Sequence, residues 1–159
     1  MEHYRRQIKI CGIQSAREAS IALAAGSSHI GFVSEGLTPP GCLSDEEIIR
    51  ITAEIGDRSR LVLLTPHATV AEVVAQQARV RAGALQLCHP FQADELRELR
   101  AALPETQLIQ VVHMGDPGGR ERAREVAALA DVVLLDSGST QGSEAVYGGT
   151  GRAHDWRLS

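Results

Sequence analysis

Aromatic side chains are scarce in this chain: Trp, Tyr and Phe together make up 3% of its 159 residues. A surface that stacks nucleobases needs several such rings, so a nucleic-acid partner is not expected. Positive charge is also in short supply. The 16 Lys and Arg are outnumbered by 20 Asp and Glu, for a net charge of −4, which does not favour binding to a phosphate backbone. No apolar run nears the roughly 20 residues of a membrane-spanning helix, so no membrane partner is expected either. The start, MEHYRRQIKI, is basic but leads into an apolar run too short for a secretory signal. A cytoplasmic protein is the expectation. Cysteine is limited to Cys11, Cys42 and Cys88, with no C-x-x-C pair. That indicates neither a disulfide framework nor a zinc knuckle.

What is present is a repeating unit. Short apolar runs recur at 8–10, 30–33, 61–64, 84–87, 108–112 and 132–135. They lack strict alternation, as strands of a parallel sheet buried on both faces do. Helical signals fill the gaps. Ser15 and Glu18, Ser44 and Glu47, and Thr69 and Glu72 each form the S/T-x-x-E pattern of a capping box. The helices they open are expected to close near Gly26, Gly56 and Gly83. A fourth helix is predicted from about Asp94 to Leu103, stopped by Pro104, and a fifth from Gly119 to Leu129. No linker or composition break divides residues 1–159, so a single domain is expected.

Alternating strands and helices give either an open doubly wound sheet or a (β/α)8 barrel. The first strand is followed by KICGIQS, which lacks G-x-G-x-x-G, and the later spacing is even. Both features favour a TIM-barrel-type α/β fold, with about six β/α units present. In either architecture the chemistry lies at the carboxyl ends of the strands. Those positions hold Cys11, Ser34 and Glu35, Thr65, Cys88 and His89, His113, and Asp136 with Ser137. Each also has a structural reading. Cys11 fits a small core residue, Asp136 a turn cap, and His113 a hydrogen-bonded loop residue. Cys88, His89 and His113 have no local ligand spacing, and no metal is expected.

Read together, these motifs resemble the phosphoribosylanthranilate isomerase family. KICGI at 9–13 is similar to the family's first strand with its catalytic cysteine, and GSSHIGFV at 26–33 to its second. LQL at 85–87 is similar to strand 4, and LLDSG with the later GGTGRAHDW, over 134–156, to strand 6 and the loop behind it. The resemblance implies a (β/α)8 barrel with no cofactor, acting on a small sugar phosphate by an Amadori rearrangement. It puts the general base on Cys11 and the general acid on Asp136. Substrate contacts are expected from Lys9, Gln86, Cys88, His113, Gly149 and Gly151, the last two in a loop that closes over the ligand.

The match has departures. The family's S-P-R arginine after strand 2 falls at Pro40 or Gly41, its strand-4 His is replaced by Cys88, and its strand-3 Asn by Thr65. The units that bind the phosphate, strands 7 and 8, have no counterpart. Two other readings follow: an isomerase of another sugar phosphate, or an inactive barrel fragment. Open edges at strands 1 and 6 would favour homo-oligomers.

Overall fold

The computed structural model describes residues 7–37 and 41–138. The elements run β1 (Lys9–Cys11), α1 (Ala16–Ala24), β2 (His29–Val33), α2 (Asp45–Ile55), β3 (Leu61–Thr65) and α3 (Val70–Val80). They continue with β4 (Ala84–Leu87), α4 (Ala93–Ala102), β5 (Gln107–His113), α5 (Gly119–Val126) and β6 (Val132–Asp136). All six strands are parallel and lie in the order β1-β2-β3-β4-β5-β6. Each strand therefore pairs with its neighbour in sequence, the arrangement of an arc of a (β/α)8 barrel.

The capping signals do what they predict. Ser15 Oγ accepts from the Glu18 amide at 3.2 Å. Ser44 and Glu47 close a full reciprocal box, and Thr69 Oγ1 accepts from the Glu72 amide at 3.4 Å. Each cap satisfies an amide that the helix itself leaves without a partner, worth about 1 kcal/mol. Two helix ends differ from expectation. α3 stops at Val80 because Arg81 takes a left-handed conformation, φ 56°. Gln77 then bonds the Ala82 amide and carbonyl, closing the chain toward β4. α5 stops at Val126, and its carbonyl accepts from both Leu129 and Ala130. Asp131 Oδ2 next accepts from the Leu108 amide at 2.7 Å and pairs with Arg100, which fixes the entry to β6.

Both faces of the sheet are covered, which explains the unalternating strand sequences. The convex face packs Ile30, Phe32, Leu61, Leu63, Leu85, Leu87, Leu108 and Val112 against helix residues such as Ile48, Val73 and Leu96. Phe32 and Phe91 are fully buried there; burying such a side chain contributes about 1.5–3 kcal/mol. The concave face carries a smaller cluster of Val33, Val62, Leu64, Ala84, Cys88 and Ile109, with Val132 and Leu134 against it. The two edge strands differ from the rest. Ile8 and Ile10 beside and within β1, and Leu135 in β6, are the exposed large apolar residues of this sheet. Among the described residues no helix is long and apolar enough to cross a membrane.

Candidate active site

Strand register decides what can meet on the concave face. Cys11 pairs with Gly31, Gly31 with Val62, and Val62 with Ala84. Residues in register on a parallel sheet share a face, so Cys11 and Gly31 stand with the concave cluster. Period-two alternation adds Lys9 below Cys11, Gln86 and Cys88 along β4, and Asp136 above Leu134. Cys11, Thr65, His113 and Asp136 are the last residues of their strands, one position inside where the sequence predicts the loops to begin.

Two glycines shape the surroundings of Cys11. Gly12 follows it at φ +78°, a conformation that L side chains rarely adopt. The turn it makes lets the amides of Gly12 and Ile13 both bond the Gly31 carbonyl, at 3.0 and 3.1 Å. Gly31 is the second. A Cβ there would lie 3.0 Å from Cys11 Sγ and 3.3 Å from Cys11 Cα. The missing side chain is the space the thiol occupies. Sequence reasoning assigned Gly31 no role, although a glycine inside a strand signals such a close approach.

Below Cys11, Lys9 extends under the arc and donates from Nζ to Gln86 Oε1 on β4. Burial lowers the Lys9 ammonium from its ordinary range, while the nearby Cys11 and Cys88 thiols oppose that shift. Cys88 is buried and its thiol is pushed up to about 12, chiefly by desolvation, with Lys9 pulling it down and Cys11 and Asp136 pushing it further up. Lys9, Cys11, Cys88 and Asp136 therefore share one electrostatic neighbourhood, to which Gln86 is hydrogen-bonded. On the far edge, His113 Nδ1 lies 3.2 Å from Asp136 Oδ2, and the two residues are register partners. The site thus holds one exposed thiol, one buried neutral thiol, an ammonium and a carboxyl. At pH 8, iodoacetamide is expected to label Cys11 and leave Cys88 protonated and unmodified. Peptide mapping reads the result, and equal labelling of both would show that Cys88 is not held as a thiol.

Other strand-end residues are used elsewhere. Thr65 is fully buried, and its Oγ1 accepts from the His67 amide. Ser34 and Glu35 line a separate cavity with Asp45, His67, Gln76 and Arg79. There Gln76 Nε2 donates to Ser34 Oγ at 3.1 Å and to Asp45 Oδ1 at 2.8 Å. His89 packs edge-on against Phe91, with centroids 5.1 Å apart. Among the described residues no three His, Cys, Asp or Glu side chains are grouped to hold a metal ion. Gly41 lies at φ +84°, and an added Cβ would sit 2.5 Å from Gln14 Nε2. An arginine at position 41 would be strained, and Pro40 lies outside the described residues.

No protein-family profile matches the chain. It is, however, 30% identical over 153 residues to an N-(5'-phosphoribosyl)anthranilate isomerase of Methanocella arvoryzae, covering 96% of this chain and 70% of that one. The chain belongs to the phosphoribosylanthranilate isomerase family. Its fold is that of the family as well. It is similar to the crystal structure of phosphoribosyl anthranilate isomerase from Thermus thermophilus, with TM-score 0.72 at 23% identity, over 96% of this chain and 69% of that one. A further similar structure is a phosphoribosyl anthranilate isomerase in complex with reduced 1-(o-carboxyphenylamino)-1-deoxyribulose 5-phosphate. Its TM-score is 0.65 at 21% identity, over 82% of this chain and 64% of that one. Of the positions that the resemblance to phosphoribosylanthranilate isomerases marks, Lys9, Cys11, Gln86, Cys88, His113 and Asp136 lie on the arc described above. Gly149 and Gly151, with the rest of GGTGRAHDW, lie outside the described residues.

Proposed function

We propose that the protein converts N-(5'-phosphoribosyl)anthranilate to 1-(o-carboxyphenylamino)-1-deoxyribulose 5-phosphate, with Asp136 as general acid and Cys11 as general base. The observation that carries this reading is the shared neighbourhood of the two groups, the thiol ending β1 and the carboxyl ending β6. Asp136 donates a proton to the ribose ring oxygen as the C1'–O4' bond breaks. The anthranilate nitrogen lone pair moves into C1'=N, giving an iminium. The Cys11 thiolate then takes the C2' proton, and that C–H electron pair becomes C1'=C2' as the nitrogen recovers its lone pair. The enolamine gains a proton at C1' and loses one from its 2'-hydroxyl, giving the ketone. Atoms and electrons balance within the substrate, so the rearrangement needs no redox partner. A proton donor and a proton acceptor at different atoms meet its demands.

The other residues support this chemistry by position. Lys9 and Gln86 form a polar floor, and Cys88, kept neutral, is a thiol contact and not a second base. Gly149 and Gly151 complete the substrate site in this reading. Residues 1–159 act as one domain of the (β/α) barrel type, and a content of only three cysteines suits a reducing, cytoplasmic setting. The exposed Ile8, Ile10 and Leu135 support self-association through the sheet edges. Loss of anthranilate fluorescence on adding the chain to phosphoribosylanthranilate tests the activity. A cooperatively melting sample with no turnover on this substrate would overturn the proposal.

A further inference from the structure

We infer that His113 is a positioning residue for Asp136: its Nδ1–H holds the carboxyl through Oδ2 and so fixes how the acid is presented at the end of β6. The inference rests on Asp136 being the acid and extends that reading to a residue whose expected role was a substrate contact.

The geometry is specific. β5 and β6 end together, with His113 and Asp136 in register, so both side chains leave the same face of adjacent strands. Nδ1 and Oδ2 lie 3.2 Å apart. The His113 side chain is only 3% exposed and that of Asp136 16%. The imidazole is thus the packed member of the pair and the carboxyl the one nearer the mouth. A rigid ring can fix the rotamer of a more mobile carboxyl, and the reverse arrangement could not. The chain also braces His113 from its other side: its carbonyl accepts from the Asp116 amide at 3.2 Å, and the Met114 amide bonds the Asp136 carbonyl at 2.7 Å.

The chemistry gives the contact a purpose. A carboxylic acid has two oxygens and one proton, and only the oxygen aimed at the substrate is useful. An ionised or neutral carboxyl can accept at Oδ2 from Nδ1–H. Engaging Oδ2 fixes how the carboxyl and its acid proton face the substrate. As that proton passes to the ring oxygen, negative charge develops on the carboxyl, and the Nδ1–H bond becomes charge-assisted and stronger. An interaction that strengthens along the reaction coordinate raises kcat and leaves substrate binding nearly unchanged. Among the described residues the Cys88 thiol lies within electrostatic reach of Asp136 across the concave face, and Lys9 and Cys11 act in turn on Cys88. None of them stands in register beside it.

Two measurements test this on the full chain. Long-range proton–nitrogen correlation of the histidine rings is expected to show His113 protonated at Nδ1, with that signal displaced in Asp136→Ala. A bare Nδ1 in the wild type would overturn the inference, and this readout needs neither activity nor a His113 variant that folds. In kinetics, His113→Leu is expected to lower kcat on the order of 10- to 100-fold, the range for removing an outer-shell partner of a functional ligand, with KM within about twofold. His113→Asn, whose side-chain amide sits where Nδ1 does, is expected to restore kcat to within about fivefold of wild type. A raised KM with unchanged kcat in His113→Leu would mean a substrate contact instead. Equal loss in the Leu and Asn variants would mean that the donor is not what matters. Full activity in Asp136→Asn would sink the acid assignment itself, a different outcome from any of these.

Discussion

Replacing Cys11 with Ala is expected to lower kcat on phosphoribosylanthranilate by about 10²- to 10⁴-fold, the usual worth of a positioned general base, and to leave the fold intact. The stability half follows from where the residue is. Cys11 is exposed at the end of an edge strand, and the bonds that anchor that end run from the backbone of Gly12 and Ile13 to Gly31. Alanine removes none of them, and the space at Gly31 accommodates the smaller side chain. The activity half follows from what could substitute. Cys88 is the nearest other thiol, but burial pushes it up to about 12, so it cannot serve as a thiolate near neutral pH. Lys9, though lowered by burial, lies beneath Cys11 and is engaged by Gln86. Among the described residues, neither of these neighbours inherits the task. Steady-state kinetics and a thermal melt on the same sample check both halves. Near-wild-type kcat would remove Cys11 from the reaction, and a collapsed melt would show that the loss is structural.

Asp136→Asn is expected to lose a comparable factor, on the order of 10²- to 10⁴-fold in kcat. Asparagine keeps the size of the side chain and an oxygen that can accept from His113. What it lacks is a proton that can be given up at neutral pH. Binding should survive, because the substrate's place on the concave face is set by β1 and β4 as much as by β6. The two variants should also be strongly non-additive. In the proposed mechanism acid and base act in successive steps of one reaction, so once either step is blocked the second substitution is expected to cost little more. A double variant whose loss equals the product of the two single losses would argue that Cys11 and Asp136 do not serve one reaction.

The parts of the molecule legible in the sequence are those governed by neighbours in the chain. Buried apolar runs mark the strands, and S-x-x-E marks the helix starts to the residue. The rule that chemistry gathers at strand ends points to Cys11, Cys88, His113 and Asp136. What escapes is set by contacts across the fold. Arg81 ends α3 in a left-handed turn that Gln77 stabilises from within the helix, and nothing local in that sequence signals it. Gly31 looks like a weak point in a strand until Cys11 is seen to occupy its missing side chain. His89 and Thr65 stand at strand ends like their neighbours, yet one packs on Phe91 and the other is buried beneath its loop. The pairing of His113 with Asp136 joins residues 23 positions apart. Only the strand register makes them adjacent.

The sequential strand order has a consequence for how the protein is made. Every strand pair joins segments roughly 20 to 30 residues apart in the chain, so ordering one unit closes only a short loop. A nascent chain can dock each strand and helix on the one before it as synthesis proceeds, with the first arc already packed while later residues are still being translated. The proposed reaction centre does not share that gradual assembly. Its thiol is among the first residues synthesised and its carboxyl arrives five units later. On that reading catalytic competence cannot precede the docking of β6, which makes activity a late reporter of folding and leaves chains built short of β6 chemically silent.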